Sequence, residues 1–342
     1  VTDERLRERH RVLINALRSQ GLAVDLDAKV EQIAAGRSNL TYRIEDAHHC
    51  VVVRTPPTVG ATPSAHDVAR EFRITSALLS TDVPVARPRV VCEDPDVMGV
   101  PFAVWDFVDG RVLRTRVQLD EVDDAYLRSA VTDLIGVLAQ LHRVDPIAIG
   151  LGDFVRPGSY AARQLRRWTG QWAIVGDPRL QSLVDEIVTD LGREVPSEIE
   201  ATLVHGDYRI DNVLFTHGAD PRVSAVLDWE LATIGEATAD VAMMCAYRDG
   251  AFDEIAGEPT AWTSDRLPDV PAVAAAYERE SGTRLRHWRF HLALAYFKVG
   301  VIAAGIDHRY RAGAAFGPGF DTSGAVVERY FDLSLATLGS PE

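Results

Sequence analysis

Residues 4–20 set Leu6, Val12, Leu13, Ile14 and Leu17 among charged positions, the pattern of an amphipathic helix. Three short apolar runs at 30–33, 40–44 and 50–53 follow, joined by polar turns, and they predict strands; Pro56-Pro57 stops the third. Over 64–80 the apolar positions 68, 72, 78 and 79 return to helical spacing, with Ser64 as the expected N-cap. Residues 83–91 are broken by proline and read as extended, 101–105 as a further strand, and Asp109-Gly110 as a turn. From Asp120 the period is helical again. Leu127, Val131, Leu134, Leu138 and Leu141 share one face of a helix that ends near Asp145-Pro146. Residues 248–271 and 313–319 are turn-rich and read as loops.

Strands therefore dominate up to about residue 107 and helices dominate after it. This order predicts an α+β chain with a small sheet-rich N-terminal lobe, 1–107, and a larger helical C-terminal lobe, 108–342. At 342 residues the chain is long enough to bury a core in each. Residues 105–110 are the expected joint, and a nucleotide is expected between the lobes.

The densest chemistry lies in the helical part. Leu203-Val204 leads into His205-Gly-Asp-Tyr-Arg-Ile-Asp-Asn212, residues 213–215 leave it, and 223–227 deliver Asp228-Trp-Glu230. Moving a γ-phosphoryl group needs little covalent help. It needs an in-line hydroxyl with a carboxylate at its proton, and metal ions on the phosphates. Asp207 offers the carboxylate, and Asn212 and Asp228 offer the hard oxygens that magnesium takes. Polar residues at the ends of short buried strands are placed rigidly and still reach a cleft. His205 directly follows an apolar run and reads as a loop brace rather than a catalytic group.

Charge and composition narrow the partners. A net charge of −14 argues against general nucleic-acid affinity, because neutralising phosphates needs a basic surface. Cys50, Cys92 and Cys245 are scattered without metal-ligand spacing and read as thiols in a reducing compartment. No apolar run is expected to reach membrane-spanning length. The charged opening does not read as a secretory leader, so the cytoplasm is the expected compartment and no membrane partner is expected. Only two lysines occur, Lys29 and Lys298; every other basic side chain besides histidine is arginine. The pattern sets no oligomeric state.

The chain resembles the aminoglycoside phosphotransferase and choline kinase-like superfamily, which has the protein-kinase fold. Within it the likeness is to the branch related to the kinase-like domain of acyl-CoA dehydrogenase family members. Beyond the two blocks above, Gly36-Arg-Ser-Asn-Leu-Thr41, Val53-Arg-Thr-Pro-Pro57, Arg70-Glu71, Trp105-Asp-Phe-Val-Asp-Gly-Arg-Val112, Tyr160-Ala-Ala-Arg-Gln164 and Arg167-Trp168 carry it, spanning nearly all of 5–335.

The resemblance implies an ATP- and Mg2+-dependent phosphotransferase acting on a small-molecule hydroxylated acceptor. Asp207 is implied as the base, with Asn212 and Asp228 on magnesium. Gly36, Arg37, Ser38 and Asn39 are implied over the phosphates, Glu71 paired to the basic residue of the third strand, and the backbone of Asp106 and Val108 at the adenine edge. Asp240 is implied as a brace beneath the catalytic loop. One departure stands out: the strand residue is Arg54 where the family has lysine. Arginine is permanently charged and grips phosphate bidentately, so retained function is the main expectation. A nucleotide-binding regulatory module without catalysis is the alternative.

Two acceptor classes fit the sequence. An aminoglycoside would use carboxylates such as Asp249, Asp253, Glu254, Glu258 and Asp265. A hydroxyacyl-CoA or other anionic metabolite would use the arginines of 284–289 and 308–311, with Trp262, Trp288, Tyr296 and Phe297 as apolar wall.

Overall fold

The computed structural model describes residues 2–35, 39–56, 67–197, 201–314 and 317–340. The chain forms two compact units. The first is Val1–Asp109 with Ser224–Ala232, and the second is Gly110–Val223 with Thr233–Glu342. The division falls two residues later than expected. The segment 224–232, expected with the helical part, clusters with the first unit.

In the first unit α1 (Thr2–Ser19) precedes three strands, β1 (Lys29–Ala35), β2 (Leu40–Glu45) and β3 (Cys50–Thr55). Then come α2 (Val68–Leu78), β4 (Pro88–Cys92), α3 (Pro95–Met98) and β5 (Phe102–Asp106). The strands form one antiparallel sheet in the order β1-β2-β3-β5-β4. Strand alternation sorts the side chains to its two faces. Val51 and Val53 of β3 pack with Tyr42, Ile44, Phe102, Val104 and the apolar stripe of α1, Leu13 and Leu17. Ala103 and Trp105 turn to the opposite face and pack on Val68 and Phe72 of α2. Trp105 fixes that contact by donating its indole N–H to Thr75 at 2.9 Å. Helix α2 starts later than its spacing predicts, at Val68, because Asp67 accepts the Arg70 N–H at 2.8 Å and caps it. Ser64, the expected cap, lies outside the described residues. The segment 224–232 is tied in by the Val226 N–H to the Pro84 carbonyl, 2.8 Å, and by Arg70 to the Ala232 carbonyl, 2.7 Å.

The second unit is largely helical: α4 (Arg116–Asp120), α5 (Asp124–Arg143), α6 (Tyr160–Val175), α7 (Gln181–Glu194), α8 (Ala237–Ala246), α9 (Phe252–Ala256), α10 (Val270–Ser281), α11 (Trp288–Arg311) and α12 (Val327–Leu338). Three short strands interrupt it, β6 (Thr202–Val204), β7 (Val213–Phe215) and β9 (Thr233–Gly235), and β6 pairs antiparallel with β9; β8 (Val223–Val226) enters the 224–232 segment of the first unit. Residues 248–271, expected as a loop, contain α9 and bury Trp262 and Thr260, so part of this stretch belongs to the core.

Helix α11 is the axis of this unit. It is the one helix among the described residues long and apolar enough to cross a membrane, contrary to expectation. However, 83% of its apolar window is buried inside the chain, which is what a core helix requires. It packs closely on α12, with the Phe297 and Phe331 rings 5.6 Å apart. Gly300 permits the approach, because a Cβ there would meet the Phe331 ring at 2.5 Å. Gly300→Ala is expected to cost about 1–3 kcal/mol through overpacking. Urea denaturation measures it, and Phe331→Leu in the same chain should recover part of the loss.

Candidate active site

Asp207 stands on a loop held from below. Strand β6 ends at Val204, and the next two backbone N–H groups, of His205 and Gly206, both donate to the Asp240 carboxylate at 2.7 Å. Gly206 takes φ 83°, which a side chain resists, so glycine is the residue this turn accepts. Asp240, in the first turn of α8, also meets His142 Nε2 of α5 at 3.2 Å, and His142 Nδ1 lies 2.7 Å from the Tyr277 hydroxyl of α10. The implied brace is thus present and joins three helices to the loop. His205 is fully buried, as a structural residue would be. Its Nδ1 accepts the Asp207 N–H at 3.3 Å, and its ring meets Tyr208 edge-on. Tyr208 anchors the loop again by donating its hydroxyl to the Leu134 carbonyl at 2.8 Å.

Five residues on, Asn212 closes the loop. Its Nδ2 donates to the Asp207 carbonyl at 2.7 Å and to Asp207 Oδ2 at 3.0 Å. With the amide nitrogen so engaged, Oδ1 is the atom left for a cation. Sequence reasoning passed over Arg209. Its guanidinium reaches Asp207 at 3.5 Å and Asp211 at 3.3 Å and lies over the rings of Tyr247, 4.8 Å, and Phe252, 5.0 Å. A basic residue between two acids in the same loop was the available signal. Burial pushes the Asp211 carboxyl up, Arg209 pulls against it, and the Asp207 charge adds to the rise.

The remaining polar cluster belongs to the first unit. Arg54 pairs with Thr41 and Ala103 across the sheet, and the parity of β3 puts it on the α2 face. There Nη1 meets Glu71 Oε2 at 2.8 Å, the expected ion pair, and Nη2 meets Asp228 Oδ1 at 2.9 Å. Asn39 donates to the other Glu71 oxygen at 3.2 Å, and its own buried Oδ1 has no partner among the described residues. Gly36, Arg37 and Ser38 lie outside the described residues. Asp228 sits in the left-handed region at φ 63°, a strained conformation of the kind that gathers at functional sites. Asp106 ends β5 with its N–H donated to the Arg87 carbonyl, 2.8 Å, and its carboxylate held by Arg89, 2.6 Å; Val108 follows in the joining segment.

The donor chemistry of this cluster suits a divalent cation. Carboxylate oxygens of Glu71, Asp228 and Glu230 lie within 4.8 Å of one another, and Arg54 pairs with the first two. Burial raises the Glu71 carboxyl to about 8; Arg54 opposes the rise, and the charges of Asp228 and Glu230 add to it. Clustered carboxylate oxygens are the hard donors that magnesium takes.

Several of the acceptor residues expected from the sequence are engaged with other parts of the chain. Asp249 holds Arg329 at 2.8 and 2.9 Å, and Asp253 accepts Thr260 and Thr263 hydroxyls at 3.0 and 2.6 Å while pairing with Arg116. Arg289 holds Glu194, and Arg311 holds Asp307. Trp262 and Phe297 are core residues, and Tyr296 is also buried.

The sequence model of the phosphotransferase enzyme family matches residues 29–293. The chain belongs to that family. Mouse acyl-CoA dehydrogenase family member 10 is 32% identical over 307 residues, 89% of this chain. The chain spans 28% of that relative's length. The crystal structure of a candidate aminoglycoside phosphotransferase of Ralstonia eutropha superposes with a TM-score of 0.79 at 32% identity, covering 96% of this chain and 97% of the other. A thermostable mutant of the aminoglycoside phosphotransferase APH(4)-Ia, bound to AMP-PNP and hygromycin B, gives 0.64 at 16% identity over 96% and 99%. This family member has the α+β, protein-kinase-like fold that its motifs imply.

Asp240→Asn is expected to destabilise the family fold by about 1.5–3 kcal/mol, since an amide cannot accept both loop N–H groups with full charge. Burial pushes the Asp240 carboxyl up, but the His142 contact and the loop N–H donors outweigh it and leave its pKa lowered. A carboxyl lowered on folding stabilises above its unfolded pKa, about 4, and loses that contribution as pH falls. The stability gap between wild type and Asp240→Asn should therefore narrow below about pH 4 in denaturation curves.

Proposed function

We propose that the chain is an ATP- and magnesium-dependent O-phosphotransferase acting on the hydroxyl of a small molecule. The observation that carries this reading is the Asp207 carboxylate, held by Asn212 at 3.0 Å on a loop braced by Asp240. The acceptor oxygen forms its bond to the γ-phosphorus as the bond to the bridging oxygen of ADP breaks, and its proton passes to Asp207. Magnesium, when bound, supplies charge neutralisation on the phosphates. Asn212 Oδ1 and the Asp228 carboxylate are the groups assigned to hold it. Arg54 bridges Glu71 and Asp228 by ion-pairing to each. Asn39 and the 36–38 residues are assigned to the phosphates, and the backbone of Asp106 and Val108 to the base. Catalysis in this scheme is positioning and charge compensation, with no covalent enzyme intermediate.

The Arg54 to Asp228 ion pair favours a second reading, a nucleotide-binding module without turnover, because it occupies a carboxylate assigned to the metal. Magnesium-dependent ATP consumption, measured with and without a panel of hydroxylated acceptors, separates the two.

Asp207→Ala should lower kcat by roughly a hundred- to ten-thousandfold and leave nucleotide affinity close to wild type. Equal loss of both in calorimetry and turnover assays would make Asp207 a binding or folding residue. Asp228→Ala should weaken magnesium–nucleotide binding about tenfold or more, read by titration at fixed nucleotide. Unchanged affinity would remove Asp228 from the metal.

A further inference from the structure

Lys298 interrupts the apolar middle of α11 and is only 9% exposed. An ammonium is costly to bury without a counter-charge, yet among the described residues no carboxylate lies within ion-pair distance of Nζ. It faces the Trp168 indole instead, 5.5 Å from the ring centroid. Arg167 lies over the same indole, also at 5.5 Å, and it too lacks an acid partner among the described residues. Two cations therefore share one aromatic ring with no anion between them.

The surroundings are built rather than loose. Lys298 lines a cavity of about 20 Å³ with Tyr160, Gln164 and His291, room for one water-sized group. His291, on the same cavity, gives its Nε2 to Glu236 at 2.9 Å, and that carboxylate also accepts the Ala161 N–H at 3.1 Å. Gln164 Oε1 is engaged by the Trp168 indole N–H at 3.1 Å, and the buried His291 Nδ1 has no partner among the described residues. Burial pulls the Lys298 pKa down to about 8, opposed by the charges of Asp207 and Asp240 and assisted by Arg167. The ammonium is thus within electrostatic reach of the carboxylate assigned to the acceptor hydroxyl.

Resting on the phosphotransferase reading, we propose that the acceptor carries an anionic oxygen group, a carboxylate or a phosphate ester, one oxygen of which enters this water-sized cavity and meets Lys298 beside Trp168, with the exposed Arg167 at the outer side. The acceptor hydroxyl then faces Asp207. A polycationic acceptor would meet two positive charges here and is disfavoured. The anion-reading residues are these, and not the arginines of 284–289 and 308–311.

Calorimetric titration of the whole chain with 3-hydroxybutyrate and with glycerol 3-phosphate tests the assignment. Methyl 3-hydroxybutyrate and ethanolamine serve as the uncharged and cationic analogues. At least one anion should bind at millimolar concentration, neither analogue should, and the preferred anion tells carboxylate from phosphate. Lys298→Met should weaken the anion about ten- to a hundredfold while raising Tm, because it removes an unpaired buried charge. Lys298→Arg should retain part of the binding. No anion binding by wild type, or undiminished binding by Lys298→Met, overturns the proposal; should Lys298→Met not fold, wild-type binding of methyl 3-hydroxybutyrate as tight as that of 3-hydroxybutyrate or glycerol 3-phosphate overturns it equally. Transfer is assayed separately. Anion binding without any Asp207-dependent transfer overturns the phosphotransferase reading alone. Asp207-dependent transfer to ethanolamine or the ester, unaffected by Lys298→Met, overturns the anion site alone.

Discussion

One buried carboxylate fixes the geometry of the loop that carries Asp207. Strands β6 and β9 are three residues each, too short to hold a loop by themselves. Asp240 supplies what they lack, by accepting the two N–H groups that follow β6 and so satisfying donors that would otherwise be buried without partners. Because Asp240 belongs to α8 and meets His142 of α5, the position of Asp207 is inherited from packed helices rather than from the strand pair. Asn212 and Tyr208 then need only local bonds to close the loop.

A different constraint governs the first unit. A sheet strand can present only alternate residues to one face, so the position of Arg54 in β3 commits it to the α2 side, where Glu71 is buried. A lysine there carries one compact charge. Arginine carries a planar fork, and its two terminal nitrogens reach separate carboxylates, Glu71 and Asp228. The substitution therefore changes the task from pairing with one acid to bridging two.

What could be read from the sequence follows the range of the signal. Four of the five sheet strands, α5 and the loop from His205 to Asn212 are local patterns, set by a period or by residues a few positions apart, and they were legible; β4 lay in a stretch read only as extended, because its prolines mask the strand pattern. Helix α11 was not, because a helix buried all round loses its amphipathic period. Residues 248–271 looked like an acidic loop because nothing local reveals that Asp253 accepts two threonine hydroxyls or that Trp262 is core. Lys298 was visible as a rare lysine, but its meaning depends on Trp168, far away in sequence, and on the lack of a carboxylate within ion-pair distance among the described residues. Gly36, Arg37 and Ser38 remain expectations from motif alone.

The charge distribution of the chain follows the needs of the proposed reaction. Phosphoryl transfer to an anionic acceptor brings two negative groups together, and in a poorly solvated site that repulsion weighs heavily. Acids gathered around Asp228 call for a divalent cation on the phosphate side. On the acceptor side repulsion must be offset by the protein itself, and a permanently exposed arginine would be screened by water and by neighbouring acids. A buried ammonium with no carboxylate in direct ion-pair contact among the described residues retains more of its field. In a chain with a net charge of −14, where arginine is otherwise the standard cation and most described arginines in the helical unit meet an acid or a carbonyl, Lys298 with its neighbour Arg167 departs from that pattern as such an acceptor requires.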